Sequence, residues 1–261
     1  MRLSQFTVDA RAAATHPPWQ NRLLAALPTA ELRRIEPELE LVQLPLGRSV
    51  YEPSEPVYNV IFPTTGIVSL RYLLADGAST EFSLTGNEGV VGIAAFMGGN
   101  SSPSRAVVLS AGHAYRLNKR VLMREIERGG DLQGLLLRYT QALISQISQN
   151  AVCNRHHTLE QRLCRWLLLS LDRQSTNKLE MTQELIANML GVRREGVTEA
   201  VGRLQGAGLI QTQRGRITLL DRPGLERRVC ECYAVVEKEA VRLFSWKLAP
   251  RAPQAASWAG V

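Results

Sequence analysis

Two periodicities divide the chain. Between residues 39 and 117, apolar and polar positions alternate in short runs at 39–44, 57–62, 67–73, 79–84, 106–109 and 114–117, the two-residue period of strands with one buried face. Pro45-Leu46-Gly47, Asp76-Gly77, Gly98-Gly99 and Ala111-Gly112 stand between them, where the chain must reverse. An α+β chain whose first domain is an all-β barrel or jelly roll follows. Ahead of it, Leu23, Leu24, Leu27, Leu32 and Ile35 fit a short helix from Trp19, broken at Pro28-Thr29. From about Val121 the period turns helical. The stretch 131–154 places Leu132, Leu136, Tyr139, Leu143, Gln146 and Asn150 at alternating four- and three-residue steps, with Leu135 and Ile147 flanking them, a heptad seam. Such a stripe is either the face of a core helix or the seam of a dimer. The helix's length and the two amides, which fix register when buried at seam positions, favour the dimer. His156-His157 mark a bend, and Thr158 with Gln161 predicts a capping box for a helix that turns Leu163, Trp166, Leu167 and Leu171 inward.

The stretch 182–217 has a more specific pattern. Thr182 is placed to cap a helix with Leu185, Ile186, Met189 and Leu190 on one face and Glu184 in its first turn, and Gly191 is placed to end it. A second helix, at about 193–205, buries Val197, Val201 and Leu204 and leaves Arg194, Glu195, Thr198, Glu199 and Gly202 on the exposed face. Two alternating runs, 209–213 and 216–220, meet at Arg214-Gly215 as a tight hairpin. Helix, turn, helix, hairpin is the order of a winged helix-turn-helix, whose second helix enters the DNA major groove. A last helix is expected from Pro223, burying Leu225, Val229, Cys232, Val236, Ala240 and Leu243.

Composition narrows the class. The 261 residues, 45% hydrophobic and 21% charged, suffice for two domains without metal or disulfide staples. Of the formal charge of +7, five units fall within 155–247, the half that carries the helix-turn-helix, which agrees with a nucleic-acid partner. Neither a signal peptide nor a membrane-spanning run is read, so a cytoplasmic protein with free thiols at Cys153, Cys164, Cys230 and Cys232 is expected. Cys153, His156, His157 and Cys164 gather near the bend, but their spacing matches no zinc pattern. Cys230-Glu231-Cys232, within one helix, is expected to turn its thiols to different faces. No metal site and no cofactor are therefore expected. An enzyme is disfavoured, since no phosphate loop, His-Glu-x-x-His or nucleophile elbow occurs.

Thr182 to Glu195, with Val197 and the Gly-Leu-Ile before the hairpin, closely resembles the DNA-binding signature of the Crp/Fnr family of bacterial transcription regulators, named for the cyclic AMP receptor protein. The resemblance extends over about residues 20–245 and implies a cyclic-nucleotide-binding-like sensor, a dimerisation helix and a C-terminal DNA-binding domain. Boundaries at 1–18 (flexible arm), 19–120 (sensor), 121–154 (dimer helix), 155–247 (winged helix) and 248–261 (disordered tail) follow. It further implies an effector pocket at Gly86, Glu88, Gly89, Val90, Gly92, Ser104 and Arg105. Members that bind cyclic AMP carry a Glu two to three residues after the glycine matched by Gly92, to hold the ribose; here Ile93 and Ala94 follow, and Arg105 directly precedes Ala106 without an intervening Ser or Thr. Cyclic AMP is accordingly expected to be a poor ligand, and the effector is unidentified. The cysteine cluster of the family's iron–sulfur members is absent, there being no Cys before Cys153.

The implied partners are a second copy of the chain, double-stranded DNA with an inverted-repeat site, and RNA polymerase. Arg194 can present a fork to guanine O6 and N7 and Glu195 can accept from cytosine N4, with Thr198 and Glu199 beside them. Family members often place an Arg where Glu199 stands, so a different base is expected there. Thr182, Arg193, Arg203, Arg214 and Arg216 are expected at phosphates. The competing reading is a ligand-binding regulatory protein that does not touch DNA.

Overall fold

A computed structural model describes residues 6–8, 15–75, 77–174 and 176–244; the expected tail, most of the expected arm and Asp76 lie outside them. Two short helices, α1 (Arg22–Ala26) and α2 (Thr29–Ile35), precede the β domain. Asn21 organises their start: its side-chain oxygen accepts from the Leu23 and Leu24 amides, while its Nδ2 donates to the carbonyls of Pro63 and Gly89, both at 2.9 Å. One fully buried amide thus satisfies a helix terminus and two loop carbonyls.

Seven strands follow: β1 (Glu40–Leu44), β2 (Ser49–Tyr51), β3 (Asn59–Pro63), β4 (Ile67–Leu73), β5 (Ser79–Thr85), β6 (Arg105–Ser110) and β7 (Gly112–Asn118). They form two antiparallel sheets, ordered β1-β7-β3 and β2-β6-β4-β5, a jelly-roll arrangement without a closed barrel. The inner faces share one core, in which Val42, Leu44, Phe62 and Leu117 meet Val68, Ala106 and Val108. β2 is an addition to the expected strands; all three of its residues are only half-buried, so it has no clean alternation to announce it. β1 is an edge strand, and Phe6 to Val8 add to it: the Gln43 amide donates to Thr7 O at 3.1 Å and Val8 bridges Val42. His16 stacks on His113 with ring centroids 4.1 Å apart, and Tyr115 donates to His16 O. The described parts of the expected flexible arm are therefore docked, because an open sheet edge gives even a short alternating segment backbone partners.

Helix α3 (Lys119–Glu127) leads through Gly129-Gly130 into α4 (Asp131–His156). The expected dimer seam is not exposed. Leu132, Leu136, Tyr139 and Leu143 are each at most 5% exposed and sit in the core of the β domain. Gln146 donates to Leu84 O and Asn150 to Glu81 O and Phe82 O, all at 3.4 Å. Heptad spacing identified a buried face, and what covers that face is this chain's own sheet. The opposite side of α4 exposes Leu137 and Ile144, each 52%, and Val152, 48%.

α5 (Leu159–Leu171) opens with the expected capping box, with Thr158 accepting from the Gln161 amide and Gln161 from that of Thr158. Then come β8 (Lys178–Glu180), α6 (Gln183–Leu190), α7 (Arg194–Gly206), β9 (Ile210–Gln213), β10 (Arg216–Leu219), α8 (Arg222–Glu226) and α9 (Cys232–Phe244). The single helix expected from Pro223 is two, because the chain leaves helical geometry between Glu226 and Cys232. α9 then packs against α4. α5, α6 and α7 bury a second core that also takes in Ile67, Leu84 and Leu109, from the face of the larger sheet turned away from the first core. The C-terminal domain is thereby seated on the sensor. No described helix is long and apolar enough to cross a membrane.

Candidate nucleic-acid interface

Thr182 caps α6, its hydroxyl accepting from the Leu185 amide at 3.2 Å. The preceding Met181 amide donates to Gly215 O at 2.6 Å, which ties the start of α6 to the hairpin tip. Gly191 ends α6 in the left-handed region, at φ 63°, and α7 begins three residues later. Val197, Val201 and Leu204 are at most 2% exposed, while Arg194, Glu195, Thr198, Glu199 and Gly202 all face out. The face singled out from the sequence is thus exposed as a unit.

Within that face, the Thr198 hydroxyl bridges Gln183 Oε1 and the Arg194 carbonyl, at 2.8 and 3.0 Å. Arg194 Nε stays 4.0 Å from Glu184, with both side chains more than 60% exposed. A contact this loose and wet holds neither partner. The guanidinium is free to exchange it.

The wing has three strands, ordered β8-β10-β9. β8 escaped the sequence reading because its three residues offer a single apolar position, Leu179. At the tip, Arg214 and Gly215 take φ of 47° and 75°, the pair of positive values of a type I′ turn whose twist matches the flanking strands. A cleft of about 300 Å³ separates this tip from the two helices, and Thr182, Gln183, Arg194, Arg214 and Arg216 line it. Arg193, Glu199 and Arg203 lie outside. Arg216 pairs with Glu180 at 3.0 Å on the surface. Arg203 pairs with Glu160 at 2.7 Å, and Arg228 meets the same carboxylate at 3.0 Å. The Arg203 hydrogen bond is the largest influence holding Glu160 below the usual carboxylate range.

The loop expected as the effector pocket is used differently. Glu88 accepts from Arg173 at 2.7 Å, and the Gly86 amide also donates to it. Arg173 in turn reaches Leu169 O and Gln146. Gly89 lies against the Tyr139 ring so closely that a Cβ would stand 2.3 Å from it. Gly92, at φ 100°, backs onto Val57, and Val90 is buried in the sensor core. Gly86, Glu88 and Gly89 thus form the seam between sensor, α4 and the C-terminal domain, while Val90 and Gly92 pack within the sensor. Of the expected pocket, Arg105 alone lines a cavity of about 320 Å³ shared with Arg48, Tyr51, Glu52, Tyr58 and Arg116. There Arg105 is paired with Glu52 at 3.0 Å. Ser104 is buried and hydrogen-bonded to Ser102, and both serines hydrogen-bond Tyr51, whose hydroxyl burial raises above its ordinary value.

Sequence reasoning missed the residues that join the domains. Glu81 of β5 accepts from Trp166 Nε1 at 2.9 Å and from Ser69 Oγ at 2.5 Å. It is buried, and burial pushes its carboxyl up to about 7 against the pull of these hydrogen bonds and of Arg71 and Arg173. Gln174 Nε2 donates to Ser110 Oγ at 2.6 Å.

The cysteines also depart from expectation. Cys164 is buried in the C-terminal core, where burial pushes its thiol up to about 12, a packing residue and not a reactive one. Cys230 precedes α9 and Cys232 is the first residue of that helix, so the two thiols do not diverge around one helix; Cys230 Sγ turns back to within 3.6 Å of Cys153 Sγ. His156 is exposed and stands apart.

Residues 161–228 match the Crp-like helix-turn-helix domain. The global nitrogen regulator of Synechococcus elongatus is 22% identical over 200 residues, which cover 73% of this chain and 90% of that protein. Among solved structures, FixK2 from Bradyrhizobium japonicum superposes with a TM-score of 0.63 at 19% identity, over 74% of this chain and 98% of its own. A CRP-family transcriptional regulator of Thermus thermophilus gives 0.61 at 20% identity, over 71% and 95%. The class is therefore a DNA-binding transcription regulator. The chain has the Crp/Fnr fold, with a Crp-like helix-turn-helix at residues 161–228.

Proposed function

We propose that the protein works as a homodimer that reads an inverted repeat through α7 and adjusts its DNA affinity to an effector held by the sensor domain. The observation that carries this reading is the α7 face, exposed as a unit beside a cleft into which Thr182, Arg194, Arg214 and Arg216 converge. In the proposed complex the Arg194 fork meets guanine and Glu195 meets cytosine, with Thr198 and Glu199 at neighbouring positions. Thr182, Arg214, Arg216 and the exposed Arg193 take phosphates. Arg203 contributes least, because Glu160 already neutralises it. Two-fold symmetry sets the half-site centres about one helical turn apart.

The dimer contact moves from the expected seam to the exposed side of α4. Leu137 and Ile144 are seven residues apart and Val152 eight further on, so all three stand on the solvent side of the helix. The effector cavity is that around Arg48, Tyr51, Glu52 and Arg105. Arg105 is committed there to Glu52, which supports a ligand other than cyclic AMP. The protein is further proposed to be a cytoplasmic regulator, not an enzyme, with RNA polymerase as its downstream partner. Electrophoretic mobility shift with genomic promoter fragments tests the reading. Retardation of a subset at salt concentrations that abolish binding to random duplex supports it, and equal binding to all fragments or to none contradicts it.

A further inference from the structure

Cys153, His157, Cys230 and Cys232 come together where α4 ends and α9 begins. Their ligand atoms, three Sγ and one imidazole nitrogen, all lie within 4.8 Å of one another. Cys153 Sγ and Cys230 Sγ are 3.6 Å apart, and Cys232 Sγ is 3.4 Å from His157 Nδ1. Zinc bonds of about 2.3 Å to sulfur and about 2.0 Å to nitrogen subtend tetrahedral edges of roughly 3.8 and 3.5 Å. The two separations therefore correspond to edges of such a tetrahedron, and the other four are no longer than 4.8 Å. An iron–sulfur cluster would spread its ligands over several irons and needs a wider frame.

The surroundings are those of a metal site as well. His157 directs Nδ1 at the thiols, while its Nε2 lies 3.3 Å from the Glu231 carboxylate; this is the carboxylate–histidine–metal relay that fixes ring orientation and raises ligand basicity. Gln149 Nε2 donates to Cys232 Sγ at 3.0 Å, a hydrogen bond suited to thiolate sulfur. The three cysteines are at most 3% exposed and form a small cluster of their own with Val229. Arg165, 6% exposed, has Nε and Nη1 without hydrogen-bond partners, and the Nε of Arg162 is buried without one; both guanidiniums are close enough to interact electrostatically with Cys153. Three thiolates and one divalent ion carry a net charge of −1, which these cations would offset.

We propose that Cys153, His157, Cys230 and Cys232 form a closed, four-coordinate site for a single soft divalent metal ion of the zinc type, which clamps the end of the DNA-binding domain to the end of the long sensor helix. Cys153 lies in the last turn of α4 and His157, four residues on, caps that helix, while Cys230 and Cys232 flank the start of α9. With four protein ligands no position remains open for substrate, so the ion acts on structure and not in catalysis. His157 is also the C-cap of α4 and immediately precedes the N-cap of α5. Metal occupancy would therefore restrain the joint between α4 and the helix-turn-helix, on which any signal from the sensor must bear. Sequence spacing concealed the site because its two halves are more than seventy residues apart and Cys230 lies outside the helix that spacing assigned it to.

Full-length protein, stripped of metal under reducing, anaerobic conditions, is titrated with Co(II) and then with Zn(II). One equivalent of cobalt per chain is expected, with the thiolate charge-transfer and d–d absorption of a tetrahedral thiolate site, displaced stoichiometrically by zinc. Cys153→Ser with Cys230→Ser should abolish the bands, Glu231→Gln should weaken zinc binding about tenfold, and Cys164→Ala, outside the cluster, should keep them. Should the double variant fail to fold, the wild-type absorption spectrum and stoichiometry alone decide. Absence of stoichiometric cobalt in the wild type, octahedral spectra, or ready closure of a Cys153–Cys230 disulfide in a protein that takes up no metal would each overturn the proposal. None of these readouts involves DNA, so they stand or fall separately from the proposed function.

Discussion

Trp166 Nε1 donates to Glu81 Oε1 at 2.9 Å across the boundary between the C-terminal domain and the sensor sheet. Both residues are at most 6% exposed. The indole nitrogen needs an acceptor once buried, and the carboxyl that supplies it is one that burial has pushed up to about 7. The contact between sensor and reader is thus linked to protonation near neutral pH.

Because the folded Glu81 binds its proton more tightly than the unfolded chain does, its contribution to stability is fully present below about pH 4.5 and is lost as pH rises through about 7. The shift corresponds to roughly 3 kcal/mol as an upper bound. Glu81→Gln keeps an acceptor for Trp166 and cannot ionise. Denaturant melts between pH 5 and 8 should show the wild type losing stability relative to this variant as pH rises; parallel curves would contradict the assignment.

The two faces of α4 make opposite predictions. Leu137→Glu with Ile144→Glu places charges on the exposed side and should yield a folded monomer by sedimentation. Leu136→Glu with Leu143→Glu buries unpaired charges in the sensor core, at a cost of several kcal/mol, and should unfold the domain by circular dichroism. A folded Leu136/Leu143 variant that sediments as a monomer would restore the original seam.

Arg173 joins Glu88, Gln146 and the Leu169 carbonyl at the three-way junction of sensor, α4 and α5. Arg173→Ala should cost about 1.5–3 kcal/mol, the range for losing hydrogen bonds to a charged group. Thermal melts followed by tryptophan fluorescence measure it, and an unchanged midpoint would remove Arg173 from the junction's energetics.

Cyclic AMP is expected to bind poorly, because Glu88 is consumed by Arg173 and Arg105 by Glu52. Calorimetric titration should give no heat at micromolar nucleotide. Micromolar binding would reverse this.

What the sequence disclosed follows from what patterns encode. Alternation located six of the seven sensor strands, and the caps at Thr158, Thr182 and Gly191 were legible because a helix terminus needs those residue types locally. Periodicity reports that Leu136 and Leu143 are buried but not which surface buries them, so a core face was read as a dimer seam. Glu81, on the outer face of its strand, reads as solvated until a second domain covers that face. The thiol cluster required knowing that the ends of α4 and α9 are neighbours, which no local spacing carries.

In the proposed complex α7 reads DNA while the wing holds it. Selection of binding sites from randomised duplexes tests this on wild type, Arg194→Ala and Arg214→Ala. Wild type should recover an inverted repeat. Arg194→Ala should lose about 1–3 kcal/mol and relax preference at one symmetric base pair, whereas Arg214→Ala should bind every sequence more weakly, keep the motif, and lower the salt slope by about 1. An Arg194→Ala variant that retained the wild-type motif while Arg214→Ala altered it would show that α7 is not the reading helix.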